Sequence, residues 1–252
     1  MFGLWGLHIL VRSLTNDQTS TDLSAGTKPA PASVIAIDGP AATGKTTVGL
    51  RLARELGYRL VDTGMMYRAV TWLALKRGVD PSNEVAVIEL SGRAVIELLQ
   101  PDASGTPRLK IDGIDITDEL RAPDVDRNVS LVSRVPQVRE AMVRRQRELA
   151  REGRLIMLGR DIGSVVLTDA PVKIYLDASA AERARRRHLE LKEDGIDRPE
   201  QEIYDELVSR DEMDRNRHAS PLRPADDATI IDTDHLTLEE VVEEVRRAAA
   251  AS

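Results

Sequence analysis

Short β-branched and apolar runs alternate along the chain with longer stretches in which apolar residues recur every three or four positions. The first run opens at Val34 (VIAID) and passes through a glycine-bearing turn into a helical pattern over Lys45 to Leu56. Tyr58 to Asp62 (YRLVD) reads as a second strand, with another helix beginning at Thr63. Arg154 to Leu158, Val172 to Leu176 and Thr229 to Ile231 read as three more strands. Helices are expected over Pro136 to Glu152, Ala178 to Leu191, residues 199–217 and Thr237 to Ala249. Runs this short and continuously apolar suit strands buried on both faces. The alternation therefore predicts an α/β fold, a doubly wound five-stranded parallel sheet with helices on both faces, whose ligands bind at the carboxyl ends of the strands.

Two stretches interrupt the alternation. Pro81 to Leu99 has a helical period with Val85, Ile88, Val95 and Leu98 as its apolar positions, and Arg108 to Thr117 carries two alternating runs around Asp112-Gly113, a hairpin signal. They predict an insertion from about residue 90 to about residue 133, with a second excursion at about 183–198. Residues 1–32 start apolar (Phe2 to Val11) and continue as TNDQTSTDLSAGTKPAPAS, too polar to offset the entropy of ordering. They are expected to be a disordered extension ahead of a single domain over residues 33–250. The apolar start lacks the basic flank and cleavage site of an export signal, and no stretch is long enough to span a bilayer, so the expected location is the cytoplasm.

Composition narrows the chemistry. A net charge of −7 argues against nucleic acid as the main partner. Without cysteine there is no thiolate metal site or Cys nucleophile, and the histidines (His8, His188, His218, His235) have no metal-ligand spacing. Only six of the 35 basic residues are lysines, and one of the six is Lys45.

Lys45 lies in Gly39-Pro40-Ala41-Ala42-Thr43-Gly44-Lys45-Thr46, followed by Thr47, which is a complete G-x-x-x-x-G-K-[ST] loop between a strand and a helix. Glycines let the backbone curl until several N–H groups face phosphate oxygens, and the start of the following helix adds further N–H groups. Lys45 supplies a charge at the β and γ phosphates, and the Thr46 hydroxyl is placed to hold Mg²⁺. At the end of the second strand, Asp62, Thr63 and Arg68 lie where a ligand would bind, although Asp62-Thr63 also suits a helix cap. Arg210, Asp214 and Arg217 share one helical face, as would suit a phosphate and a sugar hydroxyl, or equally a solvated salt-bridged face. Arginine captures phosphate in a planar, bidentate way, and phosphoryl transfer asks a protein mostly for positioning and charge.

The segments GPAATGKTT, DTGMMYR, ITDELR, VSRVPQVREAMVRRQR, LGRDIGSVVLTDAPVKIYLDASAAERARRR and RDEMDRNRHASPLRPADDATIIDT, in this order, resemble bacterial cytidylate kinases over about residues 33–250. The resemblance implies ATP-Mg²⁺ phosphorylation of CMP and dCMP to CDP and dCDP by a monomer with a monophosphate-binding insertion and an Arg-bearing helical lid. It implies that Thr63, Arg68, Ser130, Arg139, Arg160, Asp161, Arg210, Asp214 and Arg217 line the monophosphate site. Thr63 stands where Ser is common, a change that keeps the hydroxyl. Gly39 to Thr47 would hold ATP, Lys45 and Arg160 would act on the transferring phosphoryl, and Arg183 and Arg187 would close over it from the lid. Asp161 would accept from the cytosine amino group while Arg139 and Thr63 donate to the ring; alternatively Asp161 orients Arg160 and shape selects the base. Two rival readings remain at this level, a kinase for a sugar or shikimate-like acceptor and a nucleotide-dependent switch. The hairpin insertion and the many arginines weigh against the first. Net charge and the single Phe weigh against the second.

Overall fold

The computed structural model describes residues 34–102 and 105–250. The extension expected over residues 1–32 lies outside them. The central sheet consists of β1 (Val34–Asp38), β2 (Arg59–Asp62), β6 (Leu155–Gly159), β7 (Val172–Asp177) and β8 (Thr229–Asp232) in the order β2-β6-β1-β7-β8. All four pairings are parallel, with Ile35 opposite Ile156 and Val172. The five strands expected from the apolar runs are all present.

Both faces of this sheet are covered, which explains the unbroken apolar runs. Ile35, Ile37, Ile156, Leu158, Ile174 and Ile231 pack against Val48 and Leu52 of α1 (Lys45–Leu56) and against Val241, Val242 and Val245 of α8 (Leu238–Ala250). The alternate residues Ala36, Val61, Leu155 and Met157 meet Ile162 and Val166 together with α5 (Pro136–Ala150). Helix α1 ends in left-handed Gly57, and Pro123 and Pro136 open α4 (Pro123–Ser133) and α5, where a missing N–H costs nothing.

The insertion departs from its expected form. The helix expected over Pro81 to Leu99 is α3 (Glu84–Arg93), and the remainder becomes the strand β3 (Ile96–Leu99). β3 pairs antiparallel with β4 (Arg108–Ile111), which pairs with β5 (Ile114–Asp115) around Asp112-Gly113. The expected hairpin is thus two strands of a three-stranded sheet. Of the expected apolar positions Ile88 and Leu98 pack on the core, whereas Val85 and Val95 are 77% and 55% exposed, and Val87 and Leu90 are the buried positions of α3. Packing of Leu90, Leu109, Ile111, Ile116 and Leu120 on Ala69 and Leu73 of α2 (Thr63–Lys76) decides the register. Helices α6 (Ala180–Glu193) and α7 (Glu200–Arg215) pair through Ala184, Leu191, Ile203 and Leu207, which also cover Ala41 and Ala42 of the glycine loop. Because α7 ends at Arg215, Arg217 stands beyond the helix on which it was expected.

One buried group joins the loop to the rest of the sheet's carboxyl edge. Asp38 accepts from the backbone N–H groups of Ile162 and Gly163, both at 2.7 Å. These residues begin a short π-helical turn, Ile162–Val166, directly after Gly159-Arg160-Asp161. Burial pushes the Asp38 carboxyl up to about 7, although the two N–H donors favour its charged form.

Two predictions concern this edge. A Cβ on Gly39 would stand 2.1 Å from the Leu176 carbonyl oxygen at a φ of +145°, whereas one on Gly44, at +86°, would meet nothing within 4 Å. Gly39→Ala should therefore cost about 3 kcal/mol or more and Gly44→Ala about 1–2 kcal/mol, read from urea unfolding; equal costs would remove the steric argument. The folded chain also binds the Asp38 proton more tightly than an ordinary aspartate of pKa 3.8. The stability this contributes is present below about pH 4 and is lost as pH rises through about 7. The stability difference between wild type and Asp38→Asn should accordingly shrink from about pH 5 to about pH 8, and a constant difference would refute the assignment.

Candidate active site

The loop after β1 reaches its shape through backbone conformations that side chains resist. Gly39 and Gly44 have φ of 145° and 86°, and Ala42 is held at 60°. Gly44 precedes α1 with no side-chain cap, and the first turn carries no acidic residue. The leading N–H groups of α1 are thus left for an anion, and the helix dipole favours one. Thr47 is exposed in that turn.

Lys45 is buried, its Nζ donating to the Pro40 carbonyl at 2.5 Å and to the Thr43 hydroxyl at 3.2 Å. Burial, and after it the neighbouring Arg160, hold its pKa well below the usual lysine value. Thr46 donates to Asp62 at 3.2 Å, while the other Asp62 oxygen accepts from Gly64 N at 2.9 Å and caps α2. Asp62 therefore performs the expected capping role and also faces the loop. No group of three or more His, Cys, Asp or Glu side chains poised for a metal occurs among the described residues. A hydroxyl and one carboxylate oxygen fit Mg²⁺, which keeps several waters and takes phosphate oxygens as ligands.

Gly159-Arg160-Asp161 follows β6 beside this loop. Arg160 donates from Nε to Asp214 at 2.9 Å and from Nη1 to the Gly39 carbonyl at 3.1 Å, linking the loop to α7. Asp161 does not pair with Arg160. It accepts from Arg139 at 2.5 Å, and the two residues are 4% and 3% exposed. Arg139 also donates to the Ser133 carbonyl at 3.2 Å and lies over the Tyr67 ring, 5.2 Å from its centre. Its Nε is buried without a partner. The Thr63 hydroxyl donates to the Leu158 carbonyl at 2.8 Å, so its lone pairs, not its proton, are what remains to offer. Ser130 is buried on α4.

Further cations crowd the same region. Arg68 pairs with Asp126 at 2.6 Å and donates to the Leu120 carbonyl at 3.0 Å. Arg217 pairs with Asp214 at 3.4 Å and donates to the Ser220 carbonyl at 2.8 Å. Burial pushes the Asp214 carboxyl up, but Arg160, Arg217 and Arg210 more than reverse this and hold it below its usual range. Arg210 forms no ion pair among the described residues, and its Nε is buried without a partner. Burial, then Arg160 and Arg68, push its pKa down to about 10. A guanidinium buried with other guanidiniums facing it is poised for an added anion.

The two α6 arginines lie in different settings. Arg187 pairs with Glu190 at 2.7 Å and approaches Asp126 at 3.9 Å. Arg183 is only 2% exposed, and its three nitrogens donate to the Ala178 carbonyl at 3.1 Å, the Ala41 carbonyl at 3.2 Å and Asp211 at 2.6 Å. Where a guanidinium free to close on phosphate was expected, the structure has a buried brace under the loop. Its partner Asp211 carried no sequence signal beyond lying next to Arg210. Tyr67 and Asp126 were also not anticipated, although Tyr67 lies one helical turn after Thr63 and Asp126 one turn before Ser130, spacings that put each on the same face as an expected site residue.

Residues 35–251 match the family model for cytidylate kinase. The chain is 47% identical over 211 residues to the cytidylate kinase of Desulforamulus reducens, covering 84% of this chain and 94% of that protein. It is 48% identical over 208 residues to the cytidylate kinase of Pelotomaculum thermopropionicum, covering 82% and 92%. A solved shikimate kinase from Bacteroides thetaiotaomicron is similar at 14% identity and a TM-score of 0.40, covering 85% of this chain and 94% of that one, too distant to bear on the acceptor. The family model spans the glycine loop, the Arg160-Asp161 turn and helices α6 and α7 alike, and this chain belongs to the cytidylate kinase family.

Proposed function

We propose that the chain transfers the γ-phosphoryl group of ATP to CMP or dCMP, giving ADP and CDP or dCDP. The observation that carries the acceptor assignment is the convergence of Arg68, Arg160 and Arg210 beside the glycine loop, with Arg210 in no ion pair among the described residues. Such a cluster suits the dianion of a monophosphate, held next to the loop that would bind the donor.

Each residue then has a physical task. The N–H groups of Gly39 to Thr47 and the start of α1 cradle the donor phosphates. Lys45 exchanges its bonds to Pro40 and Thr43 for phosphate oxygens, which costs little because those bonds stay within its own loop. Arg160 and Arg187 face the charge on the transferring group. Arg183 acts by fixing the Ala41 carbonyl and so the curl of the loop. Thr46, with Asp62, would hold Mg²⁺, which would neutralise phosphate charge. Ser130, Asp214 and Arg217 take the sugar. The insertion at about residues 90–133 carries the acceptor side, and most of α6 with the segment that follows it, about residues 183–198, forms the lid. Since one chain supplies every one of these groups, the reading is of a monomer, working in the cytoplasm where ATP and nucleoside monophosphates are available.

The base is read by the buried Arg139–Asp161 pair. It offers an acceptor beside a donor, complementary to the amino group and N3 of cytosine, whereas uracil would set a carbonyl against the carboxylate. Thr63 contributes as an acceptor or at the pocket wall.

Two measurements test this reading. Lys45→Ala should lower kcat with CMP by about two orders of magnitude or more while the fold survives, and wild-type turnover would remove Lys45 from the chemistry. Asp161→Asn keeps an acceptor for Arg139 but offers an amide donor toward the base. It should narrow the CMP to UMP ratio of kcat/KM by about tenfold or more. An unchanged ratio would mean that the base is read elsewhere.

A further inference from the structure

Arg68 and Arg187 come from elements far apart in sequence, yet one carboxylate stands between them. Asp126, in the first turns of α4, takes Arg68 on Oδ1 at 2.6 Å and has Arg187 3.9 Å from Oδ2. It also acts on Arg210 at longer range. Of the carboxylates around these cations, Asp214 is engaged by Arg160 and Arg217, and Glu190 by Arg187 and Arg121. Asp126 is half-buried, so it can be approached, and it uses on Arg68 a donor that a phosphate would seek.

We propose that Asp126 is a resident counter-ion of the acceptor-phosphate pocket, whose negative charge competes with an entering phosphate for Arg68 and Arg187. Ions that offer charge alone, such as inorganic phosphate or sulfate, gain little by replacing a carboxylate already in place. A nucleoside monophosphate adds base and sugar contacts and can displace it. Asp126 thereby weakens the binding of every entering phosphate to a similar extent, so that a ligand offering charge alone leaves the pocket largely empty and one with base and sugar contacts fills it.

A residue that merely orients Arg68 would behave differently, and the Asn variant separates the two roles. Asn keeps an oxygen acceptor for Arg68 while removing the charge. If charge is what matters, Asp126→Asn should bind inorganic phosphate about threefold more tightly or better by calorimetry, with a steeper dependence on ionic strength. The KM for CMP should fall by a similar factor. The inhibition constant of cytidine, which has no phosphate, should not move. Inorganic phosphate affinity that is unchanged or weaker in Asp126→Asn would overturn the proposal. The CMP arm rests on the function proposed above, and the two can fail separately. A wild-type enzyme that does not phosphorylate CMP would refute that function, while the inorganic phosphate arm would still decide the role of Asp126.

Discussion

The carboxylate of Asp38 is the joint on which the site depends. It ends the central strand, leads directly into Gly39, and holds the two backbone N–H groups that start the turn after Asp161. The donor loop and the residues proposed to meet the acceptor are thus fixed to one another by two short hydrogen bonds inside the sheet edge. Arg160 repeats the connection from the other side by donating to the Gly39 carbonyl. Transfer between two bound nucleotides is sensitive to displacements of an ångström or less, and a backbone-level joint provides that precision better than side chains on separate loops. The raised affinity of Asp38 for its proton shows what burying the joint costs.

Around this joint the arginines divide by function according to their partners. Arg139 and Arg183 are buried against carboxylates and carbonyls, and each removes freedom from something else, Asp161 in one case and the glycine loop in the other. Breaking either pair would leave an uncompensated buried charge, so these positions combine structural and functional roles. Arg210, in no ion pair among the described residues, adds to the positive charge that Arg160 and Arg68 place in the region, although the chain is acidic as a whole. Local arrangement, not composition, sets the sign of the site.

Much of this was legible in the sequence because it is governed by local rules. The central strands announce themselves by continuous apolar runs, which follow from burial on both faces, and α1 was bounded correctly because a left-handed glycine stands at either end. The stretch over Pro81 to Leu99 was misread because a run of Val, Ile and Leu has both helical and strand spacings, and only contact with α2 and β4 makes Ile96–Leu99 extended. At the site, motif positions located the phosphate loop and the arginines, but not which carboxylate each arginine meets. Arg160 with Asp214 and Arg139 with Asp161 are pairings across 54 and 22 residues, set by how helices dock on the sheet. Arg183 shows the same limit: spacing put it on α6, the resemblance made it a closing residue, and only docking of α6 over Ala41 reveals a brace.

The uncapped start of α1 carries a consequence for the lifetime of the molecule. A side-chain cap at that point would typically add roughly a few tenths of a kcal/mol over glycine, and Gly44 forgoes it. Crowded guanidiniums nearby add a repulsive contribution of the same sign. Both deficits are relieved by the same anions, so a bound nucleotide holds the fold together as well as supplying the reaction, by an amount that grows with the logarithm of its concentration. Resistance of this chain to unfolding and proteolysis would then follow the size of the surrounding nucleotide pool, and a cell short of nucleotides would hold less of the folded enzyme as well as less of its substrate.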